Sequence, residues 1–223
     1  MNRVPFAEGE WYHCYNRGID KRIVFCDERD YIRFLELLYL ANSDGTLDLR
    51  AIRRSVIAET LSIPRQTLLV DIGAFCLMPN HFHLLIYEHT EGGITKFMRK
   101  LGTAYTMYFN IRQKRTGNLF NKPFRSRHID SDRYLNYGAQ YLYCNPAELM
   151  EPGWKDGDVT DEESLFEYVE RYPYSSLGAF SSPDHSLRNI LGPSIFKTAE
   201  YFEPRDMLKN ALAYYRESAE LQR

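Results

Sequence analysis

Apolar and polar residues alternate along four short stretches of the chain as they do in β-strands. Period-two alternation, or a short apolar run bounded by Gly, Pro or Asn, is typical of a strand. The predicted strands cover 11–17, 68–77, 81–87 and 124–130, with a bend at Gly73 and a turn at 78–80. Apolar residues spaced three and four apart predict helices, which cover 30–41, 51–61, 93–114, 132–145, 162–170 and a charged segment from about 204.

The order of these elements predicts the fold class. Through residue 145 it is β-α-β-β-α-β-α, which is typical of an α+β protein with a ferredoxin-like split β-α-β unit and a central antiparallel sheet. The first and third strands are then central. We expect one domain over 1–150 with an insertion at about 42–67, and a mostly helical C-terminal extension over 151–223 packed on the same domain.

Composition narrows the setting in which this domain works. Among the 223 residues, 44% hydrophobic content is ordinary for a globular protein. There is no apolar run of the roughly 20 residues that a membrane helix needs and no signal-peptide pattern, so we expect a cytoplasmic protein without a membrane partner. The four cysteines lack a CxxC spacing, which favours reduced thiols over a zinc site or a disulfide framework.

Charge is distributed unevenly along the chain. The net charge of -2 argues mildly against a nucleic-acid partner. Between 93 and 133, however, ten basic residues face only two acidic ones, whereas Lys155 is the only basic residue between 151 and 170. A local basic stripe binds phosphates whatever the total charge, although a solvated helix face is the commoner explanation. The candidate DNA-binding residues are Lys96, Arg99, Lys100, Arg125 and Arg127.

Two histidines begin the third predicted strand, directly after the turn. Side chains at i and i+2 of a strand point to the same face, so His81 and His83 lie side by side while Phe82 faces the other way. Neighbouring imidazoles on a rigid strand can share one divalent cation. Because such a pair is more often structural, this signal depends on support from elsewhere in the chain.

The helix predicted over 132–145 supplies that support. Tyr141 and Asn145 are four residues apart and therefore share one helix face. The amide oxygen of Asn145 is a candidate third metal ligand, and the hydroxyl of Tyr141 would then lie near a bound phosphate. Tyr137, one turn earlier and about 6 Å away along the axis, is the rival nucleophile, whereas Tyr143 faces away.

Four segments, in this order, carry a resemblance to a known family: YHCYNRGIDKRIVF, FCLMPNHFHLLI, GNLFNKPFRSR and QYLYCNP. They resemble the HUH single-tyrosine transposases (IS200-like transposases) and, more narrowly, the REP-associated tyrosine transposases. The likeness covers 11–146, and more loosely 172–177. It implies that 1–150 is the catalytic domain.

The resemblance also implies an activity, a metal-dependent cleavage and rejoining of single-stranded DNA. In the family, a histidine pair and a helix amide bind Mg²⁺ or Mn²⁺, which here implies His81, His83 and Asn145. The tyrosine four residues before that amide, here Tyr141, attacks DNA and forms a 5′-phosphotyrosine intermediate. The implied partner is single-stranded or hairpin DNA, with monomer and homodimer both open.

Other interpretations remain to be separated. His13 on the first strand is expected to pack or hydrogen-bond, and His128 to face DNA or be structural. A ferredoxin-like sheet with aromatic residues also suits a non-catalytic single-stranded nucleic-acid-binding module. A metal-dependent hydrolase is disfavoured because the HxHxD motif of such enzymes is not completed: Leu84 and Leu85 follow His83. A domesticated or inactive transposase would share all of these motifs.

Overall fold

The four strands form one antiparallel sheet. In a computed structural model that describes residues 5–46, 56–199 and 203–220, they are β1 (Trp11–Arg17), β2 (Val70–Met78), β3 (His81–Glu88) and β4 (Arg125–Ile129). The strand order is β2-β3-β1-β4, and each neighbouring pair is antiparallel. The predicted ferredoxin-like arrangement, with the first and third strands at the centre, is confirmed.

Helices follow the predicted order, with small shifts at their ends. They are α1 (Glu28–Leu40), α2 (Ile57–Thr60), α3 (Gly93–Arg112), α4 (Asp132–Cys144), α5 (Ala147–Met150), α6 (Glu162–Glu170), α7 (Leu177–Ser181), α8 (Pro193–Thr198) and α9 (Pro204–Glu220). Helix α1 starts earlier than predicted because Asp27 caps it by accepting from the Arg29 backbone N–H. Helix α2 is the described part of the helix expected at 51–61; residues 51–55 lie outside the described residues.

One face of the sheet holds the main apolar core. Phe82 points from β3 to this face, where its ring centroid lies 4.9 Å from that of Phe34 on α1. Phe34 in turn lies 4.9 Å from Tyr105 on α3, so α1 and α3 cover the same face. Because side chains alternate along a strand, His81 and His83 point to the opposite face.

The β2–β3 hairpin places the histidines at the start of β3. Strand β2 ends at Met78 and β3 begins at His81, so the predicted turn is confirmed. A β-bulge between Ile72 and Ala74 marks the predicted bend. A Cβ atom at Gly73 would lie 2.6 Å from the Trp11 ring, so only glycine allows β2 to approach Trp11 this closely.

A segment between α6 and α7 covers the outer edge of β2. The Leu77 backbone N–H donates to the Tyr174 carbonyl over 2.9 Å, and the Ser176 N–H donates to the Phe75 carbonyl over 2.9 Å. Residues 174–176 thus pair with an edge strand, whose free backbone groups need partners. Within the described ranges, no helix is both long and apolar enough to cross a membrane.

Candidate active site

The sheet register collects polar side chains on the face opposite Phe82. Across the β1–β3 pair, Tyr15 lies opposite His83 and Arg17 opposite His81. Across the β1–β4 pair, His13 lies opposite Arg127 and Tyr15 opposite Arg125. Directly opposed residues of neighbouring strands share one face. We call this surface the histidine face; its polar members are His13, Tyr15, Arg17, His81, His83, Arg125 and Arg127.

Three imidazoles on this face are in contact. The ring centroids of His81 and His83 lie 5.0 Å apart at an interplanar angle of 87°. On the adjacent strand, Nε2 of His13 lies 2.9 Å from Nδ1 of His83. His13 therefore hydrogen-bonds within the site, in line with the role expected for it.

Burial keeps these imidazoles neutral. It lowers the pKa of His81 to about 4, with a contribution from the positive charge of Arg17. It also lowers the pKa of His13 to about 4, with Arg127 contributing, and the pKa of His83 well below its ordinary value. A neutral imidazole carries one N–H and one nitrogen lone pair, so at neutral pH each ring can bind a cation or accept a hydrogen bond through that lone pair.

Helix α4 crosses the histidine face and presents Tyr141 to it. The Ser131 side chain caps the helix, and Leu135, Ala139 and Leu142 are buried beneath it. The ring centroid of Tyr141 lies 6.0 Å from that of His83 and 6.2 Å from that of His13. Tyr141 is still 40% exposed, so part of its side chain remains accessible to solvent.

The other tyrosines of α4 lie elsewhere. Tyr137 is 54% exposed, and its ring lies beneath the Arg133 guanidinium at 5.6 Å. Tyr143 is fully buried, and burial raises its pKa above the ordinary range. Among the described contacts, only Tyr141 of α4 has a ring beside the site histidines.

Asn145 follows directly after α4. Its side chain is buried, and Nδ2 donates to the Tyr141 carbonyl over 2.9 Å. This bond ties the amide to the turn that carries Tyr141. The oxygen Oδ1 is the atom that would bind a cation, although none of the described hydrogen bonds or ring contacts joins Asn145 to His81 or His83.

The donor set fits a loosely held divalent cation. Two neutral imidazoles and one amide oxygen would leave several coordination positions for water or phosphate oxygens, which are the ligands that Mg²⁺ and Mn²⁺ prefer. Within the described part of the chain, no group of three or more His, Cys, Asp or Glu side chains could hold a metal ion. The ligand set of His81, His83 and Asn145 therefore stays a prediction.

Lys155 was not among the predicted site residues, but the structure places it beside Tyr141. Its Nζ lies 5.5 Å from the centroid of the Tyr141 ring and 3.0 Å from a carboxylate oxygen of Glu148. Its positive charge contributes to lowering the pKa of both His81 and His83. The sequence feature that could have indicated Lys155 is that it is the only basic residue between 151 and 170.

The basic residues of α3 lie on the other side of the sheet. Helix α3 packs on the Phe82 face, so Lys96, Arg99 and Lys100 are not brought to the histidines. Lys100 instead donates to the carbonyl oxygens of Ser43 and Gly45, the latter over 2.8 Å. The expectation of one basic surface from 96 to 133 continuous with the histidine pair is therefore wrong. Helix periodicity does not tell which face of the sheet a helix will cover.

Arg125 and Arg127 do lie on the histidine face, and both side chains are exposed. Their alternation along β4 has the expected consequence of one shared face. His128 points to the other face of β4, where its Nε2 lies 2.9 Å from a carboxylate oxygen of Glu10.

Part of the chain, including the candidate site, is similar to a known protein family. The family model of IS200-like transposases matches residues 51–142, which include the histidine pair and Tyr141. The resemblance inferred from the sequence motifs is therefore confirmed, and it supports a transposase-type function. No curated protein matches the chain.

One solved structure has a similar fold. The fold is similar to that of a REP-associated tyrosine transposase bound to a REP hairpin, with a TM-score of 0.51 and 12% sequence identity. The match covers 91% of this chain and 98% of that one, so it includes the C-terminal extension as well as the sheet.

Proposed function

We propose that this protein cleaves and rejoins single-stranded DNA, with Tyr141 as the nucleophile. The observation that carries the proposal is the approach of the Tyr141 ring to within 6.0 Å of His83 on the polar face of the sheet. Residues 1–150 form the proposed catalytic domain, and the extension contributes Lys155 beside the nucleophile.

The proposed reaction balances without an external energy source. The Tyr141 oxygen bonds to the scissile phosphorus and the bond from phosphorus to the 3′-oxygen breaks. The proton lost from the phenol is matched by the proton gained by the released 3′-hydroxyl. The 5′-phosphotyrosine is itself a phosphodiester and keeps the energy of the bond that was broken, so attack by a 3′-hydroxyl releases the tyrosine, reverses the step and joins strands.

The protein's part in such a reaction is positioning and charge neutralisation. Mg²⁺ or Mn²⁺ held by His81, His83 and Asn145 would supply positive charge to the scissile phosphate. Arg125 and Arg127 lie on the same face and would contact the DNA backbone. Lys155, whose Nζ lies 5.5 Å from the centroid of the Tyr141 ring, would add a further positive charge beside the scissile phosphate.

The proposed substrate is single-stranded DNA next to a hairpin. The similar solved structure is bound to a REP hairpin, and an unpaired strand could reach Tyr141, which is 40% exposed on α4. A non-catalytic DNA-binding protein would need neither the histidine pair nor a tyrosine beside it.

A covalent-trapping experiment tests the proposal. The protein is incubated with Mn²⁺ and a library of 3′-labelled oligonucleotides that carry one hairpin flanked by randomised single-stranded bases. A 5′-phosphotyrosine retains the 3′ label, so a labelled protein band on a denaturing gel is expected, whereas 5′-labelled DNA gives only a free fragment. Mass spectrometry should map the adduct to residues 134–155. Binding without any adduct would favour the non-catalytic alternative.

A further inference from the structure

We propose that Asn80 and His13 are positioning residues that set the tautomers of His81 and His83. Each accepts a hydrogen bond from Nδ1–H of one histidine and thereby leaves the Nε2 lone pair of that ring for a ligand. This inference rests on the proposed function, because it assigns the atoms through which the two histidines would bind a cation.

The bond between Asn80 and His81 has only one possible direction. Oδ1 of Asn80 lies 2.6 Å from Nδ1 of His81, and an amide oxygen only accepts. The amide orientation is set by its other end, since Nδ2 donates to the Lys21 carbonyl over 3.4 Å. His81 therefore carries its proton on Nδ1, which leaves the lone pair on Nε2.

The bond between His13 and His83 allows two directions with opposite consequences. If His13 donated from Nε2, His83 would carry its own proton on Nε2 and could not bind a cation there. If His83 donates from Nδ1 over the 2.9 Å separation, its Nε2 lone pair is available, as in His81. Two rings that share one cation must both present lone pairs, so we assign the second direction.

Strand register explains why His13 can act in this way. His13 lies opposite Leu85, one same-face position along β1 from Tyr15, which is opposite His83. The two imidazoles overlap, with centroids 5.0 Å apart and an interplanar angle of 30°. The Nε2 atom of His13 is occupied by the bond, and no metal-holding group of three His, Cys, Asp or Glu exists in the described ranges. His13 is thus a partner of a ligand and not itself a ligand.

The tautomers can be measured directly in the metal-free protein. With ¹⁵N-labelled histidine at pH 7, long-range proton–nitrogen correlation spectra distinguish Nδ1–H from Nε2–H rings. The expected result is Nδ1–H for both His81 and His83. His13→Phe should shift His83 toward Nε2–H and leave His81 unchanged, and Asn80→Ala should do the reverse. His13→Gln replaces the Nε2 acceptor by an amide oxygen, and Asn80→Asp retains an oxygen acceptor, so both should preserve the original tautomers.

Cation affinity gives a second readout. Manganese titration followed by electron paramagnetic resonance should show 10- to 100-fold weaker binding in His13→Phe and Asn80→Ala, the usual cost of losing a group that orients a ligand. His128→Phe removes a histidine on the other face and should change neither readout. Unfolding curves identify any variant that fails to fold. In that case the tautomers and manganese affinities of His13→Gln and Asn80→Asp test the positioning roles.

The outcomes separate this inference from the proposed function. An Nε2–H tautomer of His83 in the unaltered protein, or unchanged tautomers and manganese affinity in His13→Phe and Asn80→Ala, would overturn the positioning roles. Absence of manganese binding in the unaltered protein, with the tautomers as assigned, would overturn the metal site and still support the hydrogen-bond roles.

Discussion

The two faces of the sheet are made from alternate residues of the same strands, yet they differ in nearly every physical property. One face packs Phe82 against α1 and α3 in a dry aromatic core. The other face carries three histidines in contact with one another and two exposed arginines. The ring of Tyr141 approaches this face from α4. A shift of one residue along a strand exchanges these faces, so the effect of a substitution depends on its position in the alternation.

The comparison also extends to the helices. Helix α3 carries basic residues but lies on the core face, where Lys100 binds the loop at 43–45 and Arg112 pairs with Asp27 and Asp30. Helix α4 has less basic charge but lies on the histidine face. The position of a helix relative to the sheet, more than its charge, therefore decides which residues reach the site.

The largest expected effect concerns the nucleophile on the histidine face. Tyr141→Phe removes one hydroxyl and keeps the ring, so the covalent adduct should fall below detection while the unfolding curve and DNA affinity stay nearly unchanged. Tyr137→Phe is the matched control, one helical turn away, and should still form the adduct. If Tyr137→Phe were inactive and Tyr141→Phe active on the denaturing gel, the proposed nucleophile would be wrong.

Adjacent residues of β3 should show opposite kinds of damage. Phe82→Ala empties part of the core and should lower the free energy of unfolding by about 3–5 kcal/mol. His81→Ala should lower it by about 1 kcal/mol or less but abolish cation-dependent adduct formation. Urea unfolding and the adduct assay on the same two variants test this. Equal destabilisation by both would contradict the separation of the faces.

A smaller effect is expected from the charge beside Tyr141. Lys155→Ala should slow adduct formation roughly tenfold, about 1.4 kcal/mol in the barrier, because it removes the cation nearest the ring. Glu148→Gln removes the carboxylate that pairs with Lys155 and should not slow the reaction. Single-turnover rates distinguish the two variants; a rate for Lys155→Ala equal to that of the unaltered protein would limit Lys155 to its ion pair with Glu148.

The smallest expected effect is on the affinity for single-stranded DNA, and it should differ between basic residues on the two faces of the sheet. Replacing Arg125 and Arg127 together by alanine should weaken single-stranded DNA binding and reduce the salt-dependence slope by about 1.4, because each phosphate that is no longer neutralised accounts for about 0.7. Replacing Lys96 and Arg99 by alanine should leave the affinity and the salt-dependence slope unchanged, because α3 covers the other face of the sheet. Fluorescence anisotropy at several salt concentrations provides the measurement. A larger decrease in affinity from the α3 pair would place DNA on the core side of the molecule.

Local spacing in the sequence determined the elements and much of the candidate site. The i, i+2 spacing of His81 and His83 after a turn placed both on one strand face, and the i, i+4 spacing placed Asn145 one turn after Tyr141, at the end of α4. These inferences succeeded because strand and helix periodicity are properties of a few neighbouring residues.

Only the tertiary structure decided which elements face one another. The bond between His13 and His83 joins residues 70 positions apart, Lys155 reaches Tyr141 from beyond the family match, and α3 packs on the core face. Periodicity states which side of an element is polar but not which neighbour covers it. That choice follows from the packing of the apolar residues of the whole chain, including Phe82, Phe34 and Tyr105.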